Sequence, residues 1–164
     1  MLGDRMRSGL LAKTVFAFAP LLAAAPALAH EFHRLGDIVV EQPWSRATAA
    51  MVGGAFVTLR NNGAVADRLV KVSSPLAEKA EIHETKVENG VATMRPVDGV
   101  EIKPRGGSVQ LKPGGLHVML MGLARPLKEG ERVKLTFIFA RAGAIEVEAR
   151  VEKAGAQAPG DHQH

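Results

Sequence analysis

The chain has 164 residues, with 21 lysines and arginines against 17 aspartates and glutamates, six histidines and no cysteine. So small a positive surplus, with no run of basic residues to follow a phosphate backbone, argues against nucleic acid as a partner. The missing cysteine excludes disulfides, thiolate metal sites and lipid attachment at a cleavage-site cysteine, so the fold must rest on its apolar core.

Residues 1–29 have the make-up of a secretion signal. Arg5, Arg7 and Lys13 precede an apolar stretch from Thr14 to Ala25, and Ala27-Leu28-Ala29 supplies a small-residue cleavage site. The stretch is too short for a bilayer span of roughly 20 residues. Cleavage after Ala29 is expected to give a soluble periplasmic protein, without stable membrane insertion, that begins at His30. Its 18 basic and 16 acidic residues reduce the formal charge to +2. Residues 30–153 suit one domain, and 154–164, with Pro, Gly, Gln and little that is apolar, are expected to form a flexible tail.

Along the domain, Trp44 follows Pro43 and is expected to anchor the core, and Met51 in an Ala-rich loop is expected to be structural. Gly54 to Arg60 and Arg68 to Ser73 look like strands around the turn Asn61-Asn62-Gly63. Ala80 to Val87 and Val91 to Pro96 flank Glu88-Asn89-Gly90, whose Asn-Gly pair favours a tight hairpin. Lys112 to Gly115 is a further turn, with a short strand from His117 to Met121. Val133, Leu135, Phe137 and Phe139 alternate with Lys134, Thr136 and Ile138; Ile145, Val147, Ala149 and Val151 alternate with Glu146, Glu148 and Arg150; and Ala142-Gly143 supplies the turn between them. The pattern predicts an all-β, two-sheet sandwich of seven to nine short strands.

Four of the six histidines lie at the ends of the mature chain: His30 and His33 at its start, His162 and His164 at its close. Only His83 and His117 fall in the body. Residues two apart share a strand face, so His117 and Met119 project together, roughly 7 Å apart at the backbone. His83 lies opposite Ile82, out of phase with the apolar row of its strand. Met94 sits across the Asn89-Gly90 hairpin from it. Met121 shares the face of Met119 and is expected to pack beside any site there. Two imidazoles and two thioethers form a soft, neutral set that suits copper(I) and is a poor one for zinc, calcium or magnesium. A blue-copper centre would need a thiolate.

The segments AEIHET around His83, VATMRPV around Met94 and LKPGGLHVMLMGL around His117 resemble those of the PCuAC family of periplasmic copper chaperones. That family's motif is a histidine, ten residues, a methionine, about 21 residues, and then His-any-Met. Here ten residues separate His83 from Met94, and 22 separate Met94 from His117. The extra residue is expected at Arg105-Gly106-Gly107. The resemblance runs from Trp44-Ser45-Arg46-Ala47-Thr48 to the last strands. It implies a cupredoxin-like Greek-key sandwich that binds one Cu(I) through His83, Met94, His117 and Met119. It also implies delivery to the copper centre of cytochrome c oxidase, or to a Sco-type thiol protein.

Neutral donors would release copper(I) to a thiolate acceptor, so a monomeric carrier and not an enzyme is expected. A rival reading is a copper(II)-binding or redox protein that uses the amine and imidazole of His30, aided by His33. His162 and His164 offer Cu(II) similar donors. A second rival is a structural sandwich whose methionines are core.

Overall fold

A computed structural model describes residues 31–160. Among them are eleven strands and no helix: β1 (Phe32–Leu35), β2 (Ile38–Arg46), β3 (Val52–Asn61), β4 (Asp67–Ser73), β5 (Ala77–Glu88), β6 (Val91–Pro96), β7 (Val100–Ile102), β8 (Gly107–Leu111), β9 (Leu116–Leu123), β10 (Arg132–Phe139) and β11 (Gly143–Glu152). The count exceeds the seven to nine expected because β1, β7 and β8 have only four, three and five residues. Segments so short show little of the period-2 alternation by which strands are read.

Hydrogen bonding runs continuously in the order β6-β5-β9-β3-β2-β11-β10-β4-β7, with β1 added to β2 and β8 to β3. The path folds over itself, so residues of β3, β5 and β9 share one core with those of β4, β7, β10 and β11. The predicted β10–β11 hairpin is present, with Leu135 opposite Val147 and Phe137 opposite Ile145. Val133, Leu135, Phe137, Phe139, Val147, Ala149 and Val151 all point into the core. The buried Asp67 carboxylate pins the turn of that hairpin by accepting hydrogen bonds from the backbone N–H groups of Arg141 and Ala142, both at 2.9 Å.

One irregularity in β2 decides what the opposite face carries. Glu41 pairs with Thr58 but Trp44 pairs with Phe56, so one extra residue sits in β2, and Gln42 takes a φ of 50° there. Such a bulge reverses which residues face which side. Ile38 and Val40 face the main core, whereas Trp44 is turned to the outer side. There it meets Phe56, with ring centroids 4.5 Å apart, and Ala156. Trp44 is therefore buried as expected, but in a second, smaller cluster.

That cluster reaches into the segment 154–164 expected to be a flexible tail. Residues 154–160 lie against the outer side: Ala156 is fully buried, and its carbonyl accepts a hydrogen bond from Arg46 Nε at 2.6 Å. The expected signal segment, its expected cleavage point after Ala29, and His30, His162 and His164 lie outside the described residues. No helix among the described residues is long and apolar enough to cross a membrane.

Candidate metal centre

Strands β5 and β9 form an antiparallel ladder in which His83 stands opposite His117, Ile82 opposite Val118, and Glu81 opposite Met119. Alternation sorts these positions. Ile82, Val118 and Leu120 enter the core, so Glu81, His83, His117, Met119 and Met121 project from the outer side. Gly54 of β3 is the neighbour of Met119 on that side. The predicted β5–β6 hairpin closes through Asn89 and Gly90 with φ values of 53° and 79°, the left-handed pair that a tight turn of matching twist requires. Its register places Met94 opposite Thr85, with Pro96 opposite His83.

Met94, His117 and Met119 line one open cavity together with Thr85, Pro113 and Gly114, and its remaining wall is Arg46, Gly54 and Phe56. His83 stands beside it, its ring centroid 6.0 Å from that of His117 and the planes inclined at 54°. Two imidazoles bound to one ion at metal–nitrogen distances of about 2.0–2.1 Å have centroids roughly 5–6 Å apart, so the spacing fits a shared ion. The turn at Arg105 and Gly106, with φ values of 57° and 84°, lies between β7 and β8 and hydrogen-bonds to Gly63 and Asn61. An extra residue there leaves the β5–β9 ladder undisturbed.

Each histidine is held by one ring nitrogen. His117 Nδ1 lies 3.0 Å from the Gly115 carbonyl oxygen, and a carbonyl only accepts, so Nδ1 carries the proton and Nε2 keeps its lone pair. His83 Nε2 lies 3.0 Å from Glu81 Oε2. The other Glu81 oxygen is 2.5 Å from Lys79 Nζ. The hydrogen bond from His83, and next that from Lys79, hold the Glu81 carboxyl below the usual carboxylate range. His83 Nδ1 is enclosed and has no hydrogen-bond partner among the described residues.

Burial differs sharply across the group. His117 is 6% exposed and Met94 is 50% exposed. Among the described residues no three His, Asp or Glu side chains converge as a metal cluster, so an ion held here would have to draw on methionine sulfur. Of the remaining candidates, Met121 lies one row beyond Met119, opposite Lys79 and Val52, and Met51 is exposed at the surface. His33 lies on β1 opposite Val40, beside a separate cavity shared with Glu31, Arg132, Glu146 and Glu148.

Sequence reasoning overlooked Arg46, Gly54 and Phe56 as walls of the cavity, because the β2 bulge and the β3–β9 register bring them there. Glu81 was legible as a neighbour on the His83 face, but nothing in its spacing announced the contact.

The family model for "Putative lipoprotein LpqE-like" matches residues 38–151. "Putative lipoprotein Lxx21020" of Leifsonia xyli subsp. xyli is 33% identical over 102 residues, which are 62% of this chain and 61% of that protein. The matches span about three fifths of the length of the curated relatives. Among solved structures, the "Copper-bound PCuAC domain from PmoF2" is 25% identical, with a TM-score of 0.64, over 75% of this chain and 98% of that one. "CuI-DR1885 from Deinococcus radiodurans" is 30% identical, with a TM-score of 0.55, over 82% of this chain and 85% of that one. These likenesses bear out the all-β, cupredoxin-like sandwich read from the sequence.

Proposed function

We propose that this chain, which belongs to the LpqE-like family, is a copper-binding protein that holds one copper(I) ion through His83, Met94, His117 and Met119 and passes it to another protein. One observation carries the reading: two imidazoles stand opposite each other with ring centroids 6.0 Å apart, beside a cavity that two thioethers line, on a chain without a thiolate. Its support from relatives is that a PCuAC domain and DR1885, both alike in fold, are described as copper-bound and CuI-bound.

The donor set accounts for both binding and release. Thioether sulfur is soft and uncharged, and neutral imidazole is a good borderline ligand, so together they favour the monovalent ion without the strength of a thiolate. An acceptor that offers cysteine thiolates binds copper(I) more tightly, so stepwise ligand exchange runs from this chain to the acceptor. No bond of a substrate is made or broken, and the role is carriage in the periplasm, not turnover. The resemblance in sequence directs the search for acceptors to Sco-type thiol proteins and to the copper centre of cytochrome c oxidase.

The test is an anaerobic copper(I) titration of the chain from His30 onward, with X-ray absorption to count nitrogen and sulfur neighbours. One equivalent bound with sulfur scattering, lost in a Met94→Ala/Met119→Ala double variant, is the expected result. Nitrogen-only binding that survives in the double variant would instead move the site to the terminal histidines.

A further inference from the structure

We infer that Glu81 is a positioning residue of this site: it fixes His83 as the tautomer protonated at Nε2, so that Nδ1 is the atom that donates to the ion, whereas His117 donates through Nε2. The inference rests on the copper(I) reading above and adds to it which nitrogen of each ring binds and which side chain decides this.

A neutral imidazole carries one N–H and one lone pair, and the partner of one nitrogen settles the role of the other. Glu81 Oε2, at 3.0 Å from His83 Nε2, is a carboxylate oxygen and only accepts. Lys79 Nζ pairs with the other oxygen of the same carboxylate. The proton therefore stays on Nε2 and the lone pair on Nδ1. That lone pair is enclosed and has no hydrogen-bond partner among the described residues, an arrangement that is unfavourable unless something arrives to use it. An ion placed between the rings of His83 and His117 would do so.

The two histidines are thereby made unequal. A carboxylate behind an imidazole increases its basicity as a ligand, and His83 has one. His117 has the neutral Gly115 carbonyl in the same role, on its other nitrogen. Glu81 also faces Met119 across the β5–β9 ladder, so its charge is held on the side where the ion would sit. Lys79 offsets that charge from outside, and this leaves the four donors as a neutral set.

The experiment is long-range proton–nitrogen NMR of the histidine rings in the nitrogen-labelled chain from His30 onward, before and after one equivalent of copper(I). Glu81→Gln and Glu81→Leu are recorded beside the wild type. In the wild type, His83 Nδ1 is expected to shift on binding while Nε2 keeps its proton, with the nitrogens of His117 behaving in the reverse sense. Gln still offers a carbonyl oxygen to Nε2–H and should keep the tautomer. Leu should lose it and bind copper(I) about 10- to 100-fold more weakly. The backbone amide spectrum and the His117 tautomer should stay unchanged in both variants. Ligation of His83 through Nε2, or a Leu variant with unaltered tautomer and affinity, would overturn the role of Glu81. If neither ring of the wild type responds to copper(I), the proposed function itself fails.

Discussion

His83 on β5 and His117 on β9 are direct partners across an antiparallel ladder, and the next residues along, Ile82 and Val118, are paired and buried beneath them. The imidazole spacing is thus fixed by backbone hydrogen bonds and by a packed core, and it does not depend on a loop. Met94, the third expected ligand, stands on the outermost strand. It should be possible to separate what holds the fold from what holds the ion.

Met94→Ala should leave the stability of the metal-free protein within about 0.5 kcal/mol of wild type, since the side chain is half exposed and belongs to neither buried cluster. The same change should weaken copper(I) binding measurably. Chemical denaturation of the apo protein and competitive titration against a copper(I) chelator check the two halves separately.

Phe137→Ala should do the reverse. Phe137 is fully buried in the main core between the ladders of β4 and β11. Losing the ring should cost about 3–5 kcal/mol, read as a fall in the denaturation midpoint. Copper(I) affinity should persist wherever the variant remains folded, because the ring lies on the other side of the sheet from the donors.

Truncation after Lys153 should expose the outer cluster. Ala156 packs on Trp44 and Phe56, and its carbonyl accepts from Arg46. Removing them should cost about 1–2 kcal/mol in lost burial and one hydrogen bond. Because Trp44 is the sole tryptophan, its fluorescence should shift to the red in the truncated chain.

Glu131 should make a contribution to stability that depends on pH. Its carboxylate accepts from Arg125 Nη1 at 2.5 Å and from the Lys128 backbone N–H at 3.3 Å, which hold it below the usual carboxylate range. A folded value lower than the unfolded one means that the contribution is present above the unfolded value of about 4.3 and is lost as pH falls through the folded value. Wild type should therefore exceed Glu131→Gln in denaturation midpoint at pH 7, and the gap should close on acidification to pH 2.

The fold was legible where alternation was long. β10 and β11 could be read residue by residue, because every second position along them is apolar and, apart from Ile138 on β10, the positions between from Glu146 to Arg150 on β11 and from Arg132 to Thr136 on β10 are polar or charged. The hairpin carrying Met94 was legible from Asn89-Gly90, which needs left-handed backbone that few other pairs adopt. The facing of His83 and His117 was not, since the register between β5 and β9, whose starts at Ala77 and Leu116 lie 39 residues apart, is set by packing and not by a local signal. The bulge at Gln42 was hidden for a related reason: no local pattern says that Trp44 and Arg46 would be turned to the outer side. The docking of residues 154–160 depends on that turn and was hidden with it.

Strand β6 pairs with β5 alone, and all six of its residues are exposed. A strand held by a single ladder with nothing buried opens at a much smaller free energy than the sheet as a whole. The two imidazoles sit on strands bonded on both sides, so the donors differ in how readily they come free. Local fraying at β6 would lift one sulfur away while both nitrogens remain in place. On the proposed function, retention and release of the ion would then fall to different strands, and an acceptor would gain its opening at the margin of the sheet without unfolding the protein.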